Sequence, residues 1–210
     1  MTGATSGIGE QLAQILYSHN AKVYVAGRSA EKASKMIEAI KQAHPESKGE
    51  LIFLHLDLDD LTTIKSSAQE FLSKEKRLDV LWNNAGVMVP PQGSVTKQDY
   101  ELQLGTNNIA PFLFTKLLTP LLFETAQTAP EASVRVVWVS SSASDRFAPE
   151  GGLDLNDLGY TGPDRSAWYK YGVSKAGNIL HSKEFARRYG KDGVISIVRQ
   201  SLYSTKYPVD

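Results

Sequence analysis

Short apolar runs alternate with longer stretches of helical periodicity along almost the whole chain, and this alternation most constrains the fold. Runs at 22–26, 51–56, 79–82, 134–139 and 194–198 read as strands. Stretches at 8–17, 31–43, 61–74, 97–126 and 166–189 read as helices, the fourth interrupted by Pro111 and Pro120. Strands that alternate with helices predict a parallel sheet covered on both faces, an α/β architecture. The 210 residues suit a single domain, 1–210, with a sizeable core. The longest irregular stretch, 151–164, reads as a surface loop.

Composition narrows the function classes. A hydrophobic content of 41% argues against a disordered chain. The formal net charge is zero, which removes the electrostatic case for nucleic acid or an anionic membrane. There is no cysteine, so disulfide and thiol chemistry are excluded. His19, His44, His55 and His181 are scattered without metal-ligand spacing and read as surface or edge residues, so no metal site is expected. No apolar run reaches the roughly 18 residues of a membrane span, and no signal peptide stands out. A soluble, cytoplasmic protein is the expectation.

The glycines at 3, 7 and 9, in Thr2-Gly3-Ala4-Thr5-Ser6-Gly7-Ile8-Gly9, precede a helical stretch. A glycine turn that opens a helix aims backbone N–H groups at an anion, so Gly3, Ser6, Gly7, Ile8 and Gly9 are candidates to hold a phosphate. A simple tight turn is the plain alternative. The next strand ends in Ala26-Gly27-Arg28-Ser29. An acid there would bind the ribose hydroxyls of NAD, whereas Arg28, with Ser29, suits the 2′-phosphate of NADP. NADP is therefore expected over NAD. Asp57-Leu58 follows the next strand, where Asp57 either meets an adenine edge or caps a helix. Asn83-Asn84-Ala85-Gly86 follows another, and its small residues make a turn or let a cofactor approach the backbone.

Tyr171 and Lys175 are four apart, so on a helix they share a face. A unit charge at ~4 Å and an effective dielectric of about 20 is worth about 4 kcal/mol. That is enough to lower a phenol by roughly three pH units, making Tyr171 a candidate proton donor for carbonyl reduction. An ordinary helix-surface pair is the alternative, and Tyr169 points to a different face. Ser141 ends an apolar strand, where ligands of open α/β sheets bind, and its hydroxyl can donate to a substrate oxygen. Spacing alone leaves Ser140 and Ser142 open. Pro111 has no N–H to give the carbonyl of Asn107 four residues earlier. That carbonyl can hold a water leading protons to Lys175, or the proline is a plain kink.

Taken in order, these motifs resemble the short-chain dehydrogenase/reductase family. The resemblance runs through Thr2-Gly3 to Gly9, Asp57, Asn83-Asn84-Ala85-Gly86, Asn107, Ser141, and Tyr171 with Lys175. It implies a Rossmann-type, doubly wound parallel sheet and NAD(P)-dependent oxidoreduction of a small carbonyl or alcohol substrate. It makes Tyr171 the acid/base, gives Lys175 to ribose binding and pKa lowering, and has Ser141 orient the substrate oxygen. Asn84, Ala85 and Gly86 would line the cofactor cleft. Asp154-Leu155-Asn156 and the run from Ser174 to Leu180 look like the retinol-dehydrogenase-like branch. Family members often form homo-oligomers.

Two departures shape the expectations. The family has a first strand before the threonine-glycine pair, between the second and fourth strands, whereas this chain starts at Met1-Thr2. Without it those two strands would stand roughly 9.6 Å apart, too far to hydrogen-bond. Gln200-Ser201 stands where the family has Pro-Gly, Thr205 falls where it often has a threonine, and the last strand and the substrate-covering helices are missing. The competing expectation is therefore a truncated, catalytically inactive nucleotide-binding or interaction protein.

Overall fold

A computed structural model describes residues 1–160 and 164–201. The chain runs through α1 (Gly7–Ser18), β1 (Lys22–Gly27), α2 (Ala30–Ala43), β2 (Glu50–His55), α3 (Leu61–Lys74) and β3 (Val80–Asn83). There follow the short turn α4 (Leu102–Leu104), a π turn (Gly105–Ile109) and α5 (Ala110–Ala126). β4 (Arg135–Ser141), α6 (Ala143–Phe147), α7 (Ala167–Tyr189), a 3₁₀ turn and β5 (Ile195–Ser201) complete it. Every expected element is present within a few residues of its expected bounds. The sequence reading did not anticipate α6 or the π turn.

All strand pairings are parallel, but the sheet is in two parts, β1-β2 and β3-β4-β5. The split falls between β1 and β3. Met1–Gly3 spans that gap at one end. On one side Ala26 N–H donates to Met1 O at 2.9 Å and Gly3 N–H to Ala26 O at 3.0 Å. On the other, Thr2 N–H donates to Trp82 O at 3.0 Å.

Period-2 alternation sends β1 side chains to opposite faces. Val23 and Val25 join Ala13 and Tyr17 of α1 and Ala33, Met36 and Ile40 of α2 in one core. Tyr24 and Ala26 face a second, larger core with Ile64 and Phe71 of α3, Leu118 and Leu122 of α5, and Trp138 of β4. Helices therefore cover both faces, as the doubly wound reading requires. Helix starts follow local chemistry. The Ser29 hydroxyl accepts from Lys32 N–H, the Asp60 carboxylate from Thr62 N–H and the Ser166 hydroxyl from Tyr169 N–H.

Two elements bear on the composition-based expectations. The unbroken helical path Leu102–Ala126 is long and apolar enough to cross a membrane by length and composition, with a mean hydropathy of 1.3. Its Phe114, Leu118, Leu121 and Leu122 are instead buried against the sheet side of the larger core. His181 is half-buried at the edge of the core. It lies between Phe112, with ring centroids 5.0 Å apart, and Trp138, and burial pushes its imidazole down to about 4.

The α6–α7 contact is the tightest helix crossing next to the expected active site. A Cβ on Gly172 would lie 2.8 Å from both Ala143 O and Ala148 N, backbone atoms that cannot swing aside. Gly172→Ala should therefore lower unfolding free energy by about 1–3 kcal/mol, the cost of overpacking. Urea denaturation checks this; an unchanged midpoint would contradict the contact.

Candidate active site

The glycine turn has the shape its sequence suggests. Gly3 and Gly7 take left-handed φ values of 64° and 59°. A Cβ on Gly9 would fall 2.2 Å from Gly3 O, so α1 can begin this close to the turn only with glycine there. The Asn84 amide donates to Thr2 O at 3.1 Å and Gly3 O at 3.2 Å, and the Thr2 hydroxyl accepts from the Asn84 and Ala85 N–H groups. Ser6 stands at the N-cap of α1, and no side chain caps the helix. Its first-turn N–H groups are left facing the groove with the positive end of the helix dipole.

That groove has a volume of about 370 Å³. Of the candidate cofactor residues, Gly3, Ser6, Gly7, Ile8, Gly9, Arg28, Leu58, Asn84, Ala85 and Gly86 line it. Four expected members, Ser29, Asp57, Tyr171 and Lys175, stand outside its walls. Ser29 turns its hydroxyl to the N-cap of α2. The Asp57 carboxylate closes a local turn by accepting from Asp59 N–H at 3.0 Å, as short polar side chains do after strands. The residue that does line the groove is Asp59, which forms an ion pair with Arg28. An acid two places beyond Asp57 is visible in the sequence as a complement to Arg28, and only the fold pairs them.

The catalytic candidates gather at the neighbouring end. A Cβ on Gly86 would sit 3.0 Å from Asn107 Oδ1 and 3.3 Å from Lys175 Nζ, so both side chains approach the groove at its Gly86 wall. The Asn107 side chain clamps the loop after β3 to α7. Its Oδ1 accepts from Val87 N–H at 2.7 Å, and its Nδ2 donates to Val87 O and to Ser174 Oγ. The π turn ends with Ala110 N–H donating to Gly105 O. Beyond it Pro111 can donate neither to Thr106 in five-residue register nor to Asn107 in four-residue register.

The three serines differ in their surroundings. The buried Ser140 hydroxyl donates to Lys175 O at 2.7 Å and is spent on packing. Ser142 begins α6 without a side-chain cap bond. Ser141 Oγ accepts from Ala143 N–H at 3.2 Å and lies near enough to the Tyr171 phenol to favour its ionised form. Tyr169 is turned away, under the guanidinium of Arg165.

The expected effect of Lys175 on Tyr171 is corrected. Lys175 Nζ lies 5.7 Å from the Tyr171 ring centroid and donates to Val139 O at 3.1 Å. Burial pushes the Tyr171 phenol above its usual 10, and Ser141 draws it only partly back. Burial also lowers Lys175 to about 8. Desolvation outweighs the charge contact that the sequence arithmetic assumed. The pair is on one face and beside the groove, but with the phenol protonated.

These features agree with the comparisons. The family model described as short chain dehydrogenase matches residues 1–152. The chain belongs to that family. A short-chain dehydrogenase/reductase of Phomopsis amygdali is 58% identical over 199 residues, covering 94% of this chain and 59% of the relative. The short-chain dehydrogenase/reductase pkfC of Emericella nidulans is 55% identical, covering 94% and 63%. The chain thus spans about three fifths of the length of these curated relatives. A crystal structure from Mycobacterium paratuberculosis superposes with a TM-score of 0.79 at 30% identity, covering 97% of this chain and 67% of that one. A Pseudomonas aeruginosa RhlG complex with NADP gives 0.71 at 26% identity, covering 94% and 68%. Gln200-Ser201 ends β5, and Thr205 lies outside the described residues.

The displaced Lys175 equilibrium has a thermodynamic consequence. The folded state holds the Lys175 proton only below about 8, whereas an unfolded lysine holds its proton to about 10.5. Between those values the unfolded chain binds more protons, so this group makes stability rise with pH. Asn178 Nδ2 also donates to Val139 O, at 3.1 Å, so Lys175→Met leaves that carbonyl paired. Relative to the Met variant, wild type should gain on the order of 3 kcal/mol across pH 8 to 10.5. Parallel pH dependences in urea denaturation would contradict the buried cation.

Proposed function

We propose that the chain carries the nucleotide groove and proton-donating group of an NADP-dependent oxidoreductase acting on a ketone or secondary alcohol. The observation that carries this reading is Lys175, which stands between the Tyr171 ring and the Gly86 wall of the glycine-lined groove. The groove suits a dinucleotide. Side-chain-free surface at Gly3, Gly9 and Gly86 opens the backbone, and the uncapped start of α1 offers N–H donors to a pyrophosphate. Arg28, 62% exposed in its side chain, would meet a 2′-phosphate, and Leu58 with Ala85 would flank the adenosine end. The NADP bound by the RhlG neighbour supports this choice over NAD.

When bound, the nicotinamide supplies or accepts the hydride. The chain's own residues handle the proton. Tyr171, protonated at neutral pH, donates to the carbonyl oxygen, and Ser141 orients that oxygen through its hydroxyl. Lys175, beside Gly86, is placed to hold ribose hydroxyls. The backbone at Asn107, within the π turn, would hold a water that restores the proton through Lys175. The Asp154-Leu155-Asn156 and Ser174-to-Leu180 patterns make the retinol-dehydrogenase-like branch the reading for substrate class.

Tyr171→Phe removes the proton donor while keeping the ring against Trp168. Carbonyl-dependent oxidation of NADPH, followed by absorbance, should fall at least about 100-fold. Nucleotide affinity by calorimetry should hold. Retained turnover would refute the role of Tyr171.

A further inference from the structure

The adenosine end of the groove holds an acid that the NADP reading alone does not require. Asp59 is the counterion of Arg28 and accepts a hydrogen bond from the Thr106 hydroxyl. Its main chain is fixed as well, with Asp59 N–H donating to Asp57 Oδ1 at 3.0 Å and Asp59 O accepting from Lys97 N–H at 2.9 Å. The Asp59 side chain is 21% exposed, against 62% for Arg28. The carboxylate is therefore held by its surroundings, and the arginine is the movable partner.

We propose that Asp59 is a specificity-determining residue that competes with the nucleotide's 2′-phosphate for Arg28 and so restrains the preference for NADP over NAD. The inference rests on the nucleotide reading of the groove. A 2′-phosphate reaches Arg28 only by sharing or displacing a carboxylate that already neutralises it. The dianion and Asp59 also repel each other across the same guanidinium. A 2′-hydroxyl meets neither obstacle and can donate to Asp59. The same acid that weakens the phosphate contact thus gives the unphosphorylated ribose an acceptor. The site built by Arg28 and Asp59 admits both dinucleotides with a muted ratio, where an unopposed arginine would favour NADP strongly.

The test measures binding without turnover. Dissociation constants of 2′,5′-ADP and 5′-AMP are determined by calorimetry for the wild-type chain, Asp59→Asn, Asp59→Ala and Arg28→Ala. Asn keeps an oxygen for the Thr106 hydroxyl, and Ala guards against an amide that merely replaces the old contact. Both Asp59 variants should raise the preference for 2′,5′-ADP about fivefold, the scale of a partly exposed ion pair. Arg28→Ala should lower that preference roughly tenfold, the scale of a charge-assisted hydrogen bond. An unchanged or reduced preference in both Asp59 variants, with Arg28→Ala still lowering it, overturns the competition and leaves the NADP reading standing. If Arg28→Ala changes nothing, or neither nucleotide binds the wild-type chain, the nucleotide reading itself falls and this inference with it.

Discussion

Three residues of backbone hold the site together. Met1, Thr2 and Gly3 bond to β1 on one side and β3 on the other, across a gap where the two half-sheets do not pair. The same residues form the floor of the groove. Gly3 O is the atom against which Gly9 brings the start of α1, and Asn84 ties the loop after β3 to Thr2 and Gly3. Arg28, at the end of β1, and Gly86, beyond β3, belong to different half-sheets. Their common groove depends on this short bridge.

On the far side of Gly86 the controlling quantity is burial. It raises the Tyr171 phenol and lowers the Lys175 ammonium, so both groups lean toward their neutral forms. A neutral phenol is a competent acid for carbonyl reduction without prior deprotonation. A lysine near 8 that is anchored on Val139 O is a poised proton holder rather than a fixed charge. Ser141 draws the phenol pKa partly back down, while Ser140 is committed to α7. The chemistry follows from which strand-end hydroxyl the β4 pleat turns outward.

Much of this was legible in the sequence. Periodicity carries the element order because each strand and helix buries a face of its own. The glycine spacing carries the phosphate turn because positive φ and close approach leave few other residues a place. What the sequence could not give depended on distances between distant segments. The Tyr171–Lys175 spacing showed a shared face but not the desolvation that reverses the expected shift. Asp57 looked like the groove acid by position, and the turn it closes places Asp59 there instead. His181 carried no sign of burial, because Phe112 and Trp138 come from other elements. The π turn was half visible in Pro111, which breaks a helical bond, but the register change at Gly105–Ile109 is a tertiary outcome.

The central claim is that the Tyr171 phenol and the glycine-lined groove form one functional unit. Carbon-13 NMR of ring-labelled tyrosine, titrated with and without NADP⁺, tests it most directly. The account predicts a Tyr171 resonance that titrates above 10 in the free protein and shifts downward once the cationic nucleotide ring is bound. A Tyr171 titration below 10 in the free protein, or one indifferent to saturating nucleotide, would contradict it.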